Sequence, residues 1–272
     1  MTTDIHALLD HLWQDYTRLN PQAQRIHALL AVRGDGVVND HISLRTFDHP
    51  KLGIDTSARI FESFGYTAAN EYDFPAKRVR ARHYEPPEPD LPKVFISELC
   101  LGEFSHGVRD IVGSLTRQVA PDSLSDVDYV IGGTLWNPMM HDAYDRLRQE
   151  SEYAAWVSAF GFRANHFTVL VNALSSFDTL AELNDFLREH GFPLNESGGS
   201  IKGSPEILLE QSATLAPPVS MQFADGTADI PGCYYEFVQR HPMADGGLFQ
   251  GFVASSTDRI FESTDHLPTE RA

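Results

Sequence analysis

Residues 37–47, VVNDHISLRTF, and residues 162–172, FRANHFTVLVN, are two versions of one stretch, and their likeness decides how the chain folds. Each is short and rich in β-branched and apolar residues, and each places an Asn one or two residues before a His that opens an alternating run. The first is bounded by GDG and DHPK, which are turn-forming on both sides. Both stretches therefore read as strands.

The segments downstream of the two strands repeat as well. After the first comes DTSARIFESF, residues 55–64, a helix with Asp55 as its N-cap, Ala58, Ile60, Phe61 and Phe64 on one face, and Gly65 as its stop. Strand-like runs cover 66–74, 78–84 and 93–101. After the second stretch, a helix over 177–189 stops at Gly191, and strand-like runs lie near 192–196, 206–215, 219–224 and 233–240. The expected fold is α+β: two βαβββ units forming a cup-shaped mixed sheet with helices outside. Ahead of the repeat, residues 1–35 carry two helices. Ile5, Leu8, Leu9, Leu12, Trp13 and Tyr16 recur at spacings of three and four, and Pro21 restarts the pattern through Ile26, Leu29 and Leu30. The first unit is expected over 36–102 and the second, with a C-terminal segment, over 161–272. Residues 103–160 read as a helical connection punctuated by Gly132-Gly133 and Asn137-Pro138, the whole forming one catalytic domain.

Composition narrows the partners. With 272 residues and 42% hydrophobic content, the chain can bury a substantial core. It carries 21 Lys and Arg against 38 Asp and Glu, a net charge of −17 that repels nucleic acid and anionic membranes. An anionic substrate then needs a local cation, either a metal or a buried Arg. The N-terminal MTTDIHALLDHLW has no basic region followed by an apolar one, and no run of 18 apolar residues occurs, so the chain is read as cytoplasmic. Two cysteines, Cys100 and Cys233, cannot build a disulfide framework or a thiolate zinc site. A homo-oligomer is compatible with all of this.

On a strand, residues two apart share a face, so His41, Ser43 and Arg45 point one way and Ile42 and Leu44 the other. His166, Thr168 and Leu170 make the matching face of the second unit. A lone strand His is ordinarily a hydrogen-bonded structural group; two at matched repeat positions favour ligands. Glu236, in GCYYEFVQR, is a carboxylate among aromatic and β-branched residues and wants a cationic partner. Two imidazoles and a carboxylate fit the facial set of non-haem iron(II), although the same set can hold zinc. Glu98 in KVFISEL is the rival carboxylate, and His83 is a reserve ligand. For Arg45, a salt bridge to an acidic neighbour competes with a binding role.

Four segments, NDHISLRTF, RANHFTVLVN, YYEFVQR and GFVASSTDRIFES, spread over most of the chain and resemble the 2-oxoadipate dioxygenase/decarboxylase family, which is related to the vicinal oxygen chelate superfamily. The resemblance implies Fe(2+) held by His41, His166 and Glu236, substrate binding by Arg45, and a backbone contact to substrate near Val253 to Ser255. It also implies oxidative decarboxylation, with O2, of 2-oxoadipate or a similar 2-oxo dicarboxylic acid to 2-hydroxyglutarate and CO2. The chain lacks extra residues that longer bacterial members carry between the last ligand strand and the C-terminal motif. Two other readings share this cup: a zinc or nickel isomerase or hydrolase with Glu98 or Glu236 as base, and a non-catalytic binder of a small acid.

Overall fold

The computed structural model describes residues 4–120, 122 and 124–264. Helix α1 (Ile5–Leu19) starts at Asp4, whose carboxylate accepts from the His6 amide, and α2 (Pro21–Val32) starts with Pro21, where a missing N–H costs nothing. Strand β1 (Asn39–Phe47), α3 (Ile54–Ser63), β2 (Thr67–Phe74), β3 (Val79–Glu85) and β4 (Lys93–Leu99) form the first unit. Helices α4 (His106–Thr116), α5 (Asp128–Ile131), α6 (His141–Glu150) and α7 (Glu152–Phe160) connect it to the second. That unit holds β5 (Ala164–Leu170), α8 (Leu180–Glu189), β6 (Lys202–Ser204), β7 (Leu209–Ala213), β8 (Pro218–Phe223), β9 (Gly226–Pro231) and β10 (Tyr234–Arg240), and the chain continues into α9 (Ala254–Ile260).

Eight strands make one mixed, curled sheet in the order β2-β3-β4-β1-β5-β10-β7-β6. Each half reads outward from the seam in the same way. β1 is parallel to β4 and β5 is parallel to β10, while β1 and β5 meet antiparallel at the centre. The duplicated βαβββ plan is therefore present.

The two halves also share a helix-capping device. His41 pairs with Lys93 and His166 with Tyr234, so Glu98 and Gln239, each five residues further on, are equivalent positions. Glu98 Oε2 accepts from the Ile54 amide at 3.0 Å, and Gln239 Oε1 accepts from the Leu180 amide at 2.7 Å. Each side chain thus reaches from its strand to the first amide of the helix packed on that face, satisfying a donor that the helix leaves open. This is why α3 starts one residue before the expected N-cap. Gly53 occupies the cap, and a Cβ there would lie 2.8 Å from Glu98 Oε2, so Asp55 falls inside the first turn.

The second unit departs from expectation in three places. The run near 192–196 contributes only an isolated bridge, Leu194 to Thr214. The run 206–215 is broken by a 3-10 turn at Pro205–Ile207 and by Leu208 at φ 63°, leaving β7 as its strand. The run 219–224 leaves the sheet and pairs with β9 as a separate hairpin. Side chains of that hairpin are mostly exposed, and Phe223 anchors it against His141 and Tyr144 of α6 at 4.9 and 5.5 Å.

The sheet face bearing Phe167 and Tyr235 packs on α1. Phe167 lies 5.1 Å from Trp13 and 5.0 Å from Tyr16, and the Tyr16 hydroxyl donates to the Tyr234 carbonyl. Burying a ring such as Phe167 contributes roughly 2–3 kcal/mol and fixes which face of β5 turns outward. The alternate face, with His166 and Thr168, is thereby committed to the inside of the cup. No helix among the described residues is long and apolar enough to cross a membrane.

Candidate metal centre

Register places three strands side by side at the seam: His41 of β1 opposes Thr168 of β5, and Thr168 pairs in turn with Glu236 of β10. His166 sits two residues before Thr168, on the same face. A small Thr between the long side chains leaves room for them to converge above it. His166 Nε2 lies 3.0 Å from Glu236 Oε2, and His41 Nε2 lies 3.8 Å from Glu236 Oε1. One donor atom from each residue falls within 4.8 Å of the other two, and all three residues are buried.

The surroundings orient these atoms. His41 Nδ1 faces Asp40 Oδ1 at 2.8 Å, and His166 Nδ1 faces Asn165 Oδ1 at 3.0 Å. Both inward nitrogens thus carry their protons toward oxygen acceptors, so both Nε2 lone pairs turn toward Glu236. Thr168 Oγ1 stands 3.0 Å from His41 Nε2 and donates to it. Gln211 Nε2 donates to Glu236 Oε1 at 2.7 Å, and Ser256 Oγ donates to Gln211 Oε1 at 2.8 Å.

Electrostatics favour a cation here. Burial pulls the His166 imidazole down to about 4, against the opposing attraction of Glu236, so at neutral pH it is uncharged, the form a metal would need. Burial alone would raise the Glu236 carboxyl, but His166, His41 and Gln211 outweigh it and hold it below the ordinary range. Asp40, which burial would also raise, is held well below the carboxylate range by Arg240. Two imidazole nitrogens and a buried carboxylate oxygen converge within 4.8 Å of one another. Such a cluster is costly unless a cation completes it, and two nitrogens with one carboxylate oxygen suit a first-row divalent metal.

Arg45 lies on the same face of β1, four residues beyond His41. It is only 2% exposed, yet among the described residues no carboxylate pairs with it. Its guanidinium carbon stands 5.0 to 5.3 Å from the rings of Tyr153, Trp156 and Phe261, and Nη1 donates weakly to Thr264 Oγ1 at 3.4 Å. Among the described residues Nε and Nη2, the edge that grips a carboxylate side-on, have no hydrogen-bond partner. A cavity of about 260 Å³, lined by Lys77, Arg148 and Tyr153 among others, reaches this guanidinium.

The other sequence candidates fall elsewhere. Glu98 pairs with Thr46, whose parity puts it on the opposite sheet face from His41; there it caps α3 and bonds Arg80 at 2.7 Å. The position in β4 that matches Glu236 is Phe95. His83 faces the cup but bonds Tyr72 and Glu85, at 2.8 and 3.0 Å. Val253 is the N-cap of α9, and Ser255 is exposed, whereas its neighbour Ser256 is buried and linked through Gln211 to Glu236. Sequence reasoning missed Asp40, Asn165, Gln211 and Arg240. A signal existed for the first two, since each directly precedes its His.

A curled sheet of two βαβββ units has the vicinal oxygen chelate fold, and the buried His-His-Glu cluster at its seam could hold a metal ion. The chain matches the 2-oxoadipate dioxygenase/decarboxylase family over residues 3–248, and it belongs to that family. A chloroplastic 2-oxoadipate dioxygenase/decarboxylase from Arabidopsis thaliana is 34% identical over 285 residues, covering 95% of this chain and 76% of the relative. The crystal structure of the hydroxyglutarate synthase from Oryza sativa in complex with 2-oxoadipate superposes with a TM-score of 0.90 at 33% identity, over 95% of this chain and 91% of that one. A structure from Shewanella frigidimarina NCIMB 400, provisionally described as a hydrolase, gives 0.88 at 46% identity over 93% and 99% of the two chains. One from Ralstonia eutropha JMP134, provisionally placed in the glyoxalase superfamily, shares the fold, with a TM-score of 0.75 at 22% identity over 90% and 84%. The expected cytoplasmic location is corrected by the curated relatives, of which the Arabidopsis protein is chloroplastic and a second, from rice, chloroplastic or amyloplastic. Charge and apolar content say what a chain can bind and bury, and they do not encode its compartment.

Proposed function

We propose that this protein is an iron(II)-dependent dioxygenase that converts 2-oxoadipate and O2 to 2-hydroxyglutarate and CO2. Atoms balance without a second co-substrate. The C1 carboxylate leaves as CO2, one oxygen atom completes the new carboxylate at C2, and the other becomes the hydroxyl on the next carbon. His41, His166 and Glu236 would hold the metal. Iron(II), when bound by these three groups, supplies open positions for a 2-oxo acid and the oxygen chemistry.

The observation that carries the substrate assignment is the free edge of Arg45. A buried guanidinium with Nε and Nη2 unpartnered among the described residues suits a carboxylate that arrives with the substrate. Held there, the distal carboxylate of a six-carbon 2-oxo diacid fixes the direction in which its 2-oxo acid end extends toward His41. Tyr153, Trp156 and Phe261 around the guanidinium, and Phe252 against the His41 ring at 4.8 Å, would offer aromatic surface to the substrate's hydrocarbon chain. Asp40 and Asn165 keep the two imidazoles in the tautomer that ligation needs. Val253 to Ser255, at the start of α9, would offer backbone groups to the substrate. A zinc or nickel isomerase or hydrolase using Glu98 as base has no support, because Glu98 caps α3 on the far face.

The test is oxygen uptake by protein loaded anaerobically with iron(II) and then given air and 2-oxoadipate. Equal consumption of O2 and 2-oxoadipate, with 2-hydroxyglutarate as product, is expected. Turnover that proceeds without O2, or with zinc as the sole metal, would overturn the proposal.

A further inference from the structure

Between the end of β10 and the start of α9, residues 241–253 form a strap: 241–249 fold back as a short hairpin, with the Phe249 amide donating to the His241 carbonyl at 3.0 Å and a bridge between Pro242 and Leu248, and Phe252 then packs against His41 and Phe95. One guanidinium joins this strap to the metal centre. Arg240 donates from Nε and Nη2 to the two oxygens of Asp40, at 2.6 and 2.8 Å, and Asp40 in turn receives the Nδ1 proton of His41. From Nη1, the same side chain donates to the carbonyls of Phe249 and Gly251, both at 2.9 Å. Its charged carbon also lies 5.4 Å from the Phe252 ring, and that ring meets His41 edge-on. A second anchor comes from the other half of the sheet. The Tyr72 hydroxyl accepts from the Phe252 amide at 3.2 Å and bonds His83 Nδ1 at 2.8 Å, while His83 Nε2 faces Glu85 at 3.0 Å.

We infer that Arg240 is a positioning residue that couples closure of the 241–253 strap to occupation of the metal centre. The inference rests on His41, His166 and Glu236 being the metal ligands. The face of the guanidinium that fixes Asp40, and so His41, is rigidly joined to the donors that seat the strap. Releasing the strap carbonyls would leave Nη1 of a buried guanidinium unpaired and so loosen its pair with Asp40, and with it the hold on His41. Coupling between two sites is reciprocal, so metal must steady the strap and an anchored strap must favour metal. A lysine offers a point charge and cannot serve both sets of acceptors.

Backbone hydrogen exchange over peptides covering 241–253, with and without iron(II) under anaerobic conditions, reads one direction of the coupling. Iron(II) affinity, measured by competition with a chromophoric chelator, reads the other. In the parent protein, iron(II) should slow exchange of the strap at least about tenfold. Arg240→Lys should weaken iron(II) binding by about 10–100-fold, the range for groups that orient ligands, and abolish the protection of the strap by iron. Tyr72→Phe touches no ligand and lies at the sheet edge, so it should fold normally. It should speed strap exchange and also weaken iron(II) binding about fivefold through the linkage. A Tyr72→Phe protein with a looser strap and unchanged iron affinity overturns the inference, as does a parent protein whose strap ignores the metal. If the parent binds no iron(II) at all, the metal assignment falls and takes this inference with it; iron(II) binding with an unprotected strap defeats the inference alone.

Discussion

Arg45→Met separates substrate recognition from folding. Among the described residues, Arg45 makes one weak hydrogen bond and faces three aromatic rings. Losing three cation–π contacts at roughly 0.5–1 kcal/mol each costs about 1.5–3 kcal/mol. Losing an unpaired buried charge recovers several kcal/mol of desolvation, and the Met side chain refills most of the volume. The two nearly offset, so stability to urea should change by no more than about 1–2 kcal/mol. With substrate bound the balance differs, because a carboxylate left facing an uncharged wall loses about 3–5 kcal/mol. At 1.4 kcal/mol per factor of ten, kcat/KM for 2-oxoadipate should fall by about 10²–10³-fold or slightly more. Steady-state oxygen uptake would measure this beside 2-oxohexanoate, the monocarboxylic acid of equal length. That acid should be a poor substrate for the parent and almost unaffected by the change. Arg45→Lys should recover only part of the loss, since it replaces a two-point grip by a point charge. An Arg45→Met enzyme that keeps the parental ratio between the two acids refutes the reasoning, and Arg45 would then be a structural cation.

Anaerobic titration of the parent should give about one equivalent of iron(II), with His41→Ala, His166→Ala and Glu236→Ala each weakening binding by more than about tenfold; full occupancy in any of them removes that residue from the set. Glu98→Gln should leave iron binding intact. Glu98→Ala should lower stability to urea by about 1–2 kcal/mol through loss of the α3 cap, with Gln239→Ala costing about 1 kcal/mol at α8. Acid should destabilise the metal-free protein. The His166 imidazole titrates near 4 when folded and near 6.5 when unfolded, so only the unfolded chain takes up this proton between those values and stability falls as pH drops through that window. About 3 kcal/mol is at stake, and Asp40 and Glu236, also held down in the fold, push the same way at lower pH. His166→Gln should flatten the dependence between pH 6.5 and 4 in urea melts; an unchanged slope would mean that this imidazole does not carry it.

Much of the centre was legible because strand parity and duplication are both written in the chain. His41, Ser43 and Arg45 share a face by alternation alone, and the second His at the matched position turned a common residue into a candidate ligand pair. Parity within a strand says nothing about which residues of different strands lie abreast. Glu98 and Glu236 both sit in apolar runs near the end of their units, and only the pairing of β4 with β1 and of β10 with β5 shows that Glu236 matches Phe95 while Glu98 matches Gln239. The same limit hid Gln211 and Arg240, whose roles depend on register across β7, β10 and β1. It also blurred the second unit's outer strands, where a 3-10 turn and a hairpin leaving the sheet replaced two expected runs. The duplication is informative where it breaks. Equivalent positions carry Asp40 and Asn165 behind the two imidazoles, and Phe95 and Glu236 beside them. One half of the cup therefore supplies a carboxylate, while the other supplies an apolar wall and a charged brace. That asymmetry sets Phe95 and Phe252, with ring centroids 4.9 Å apart, beside His41 as an apolar wall, the kind of surface that the hydrocarbon chain of the proposed substrate would need.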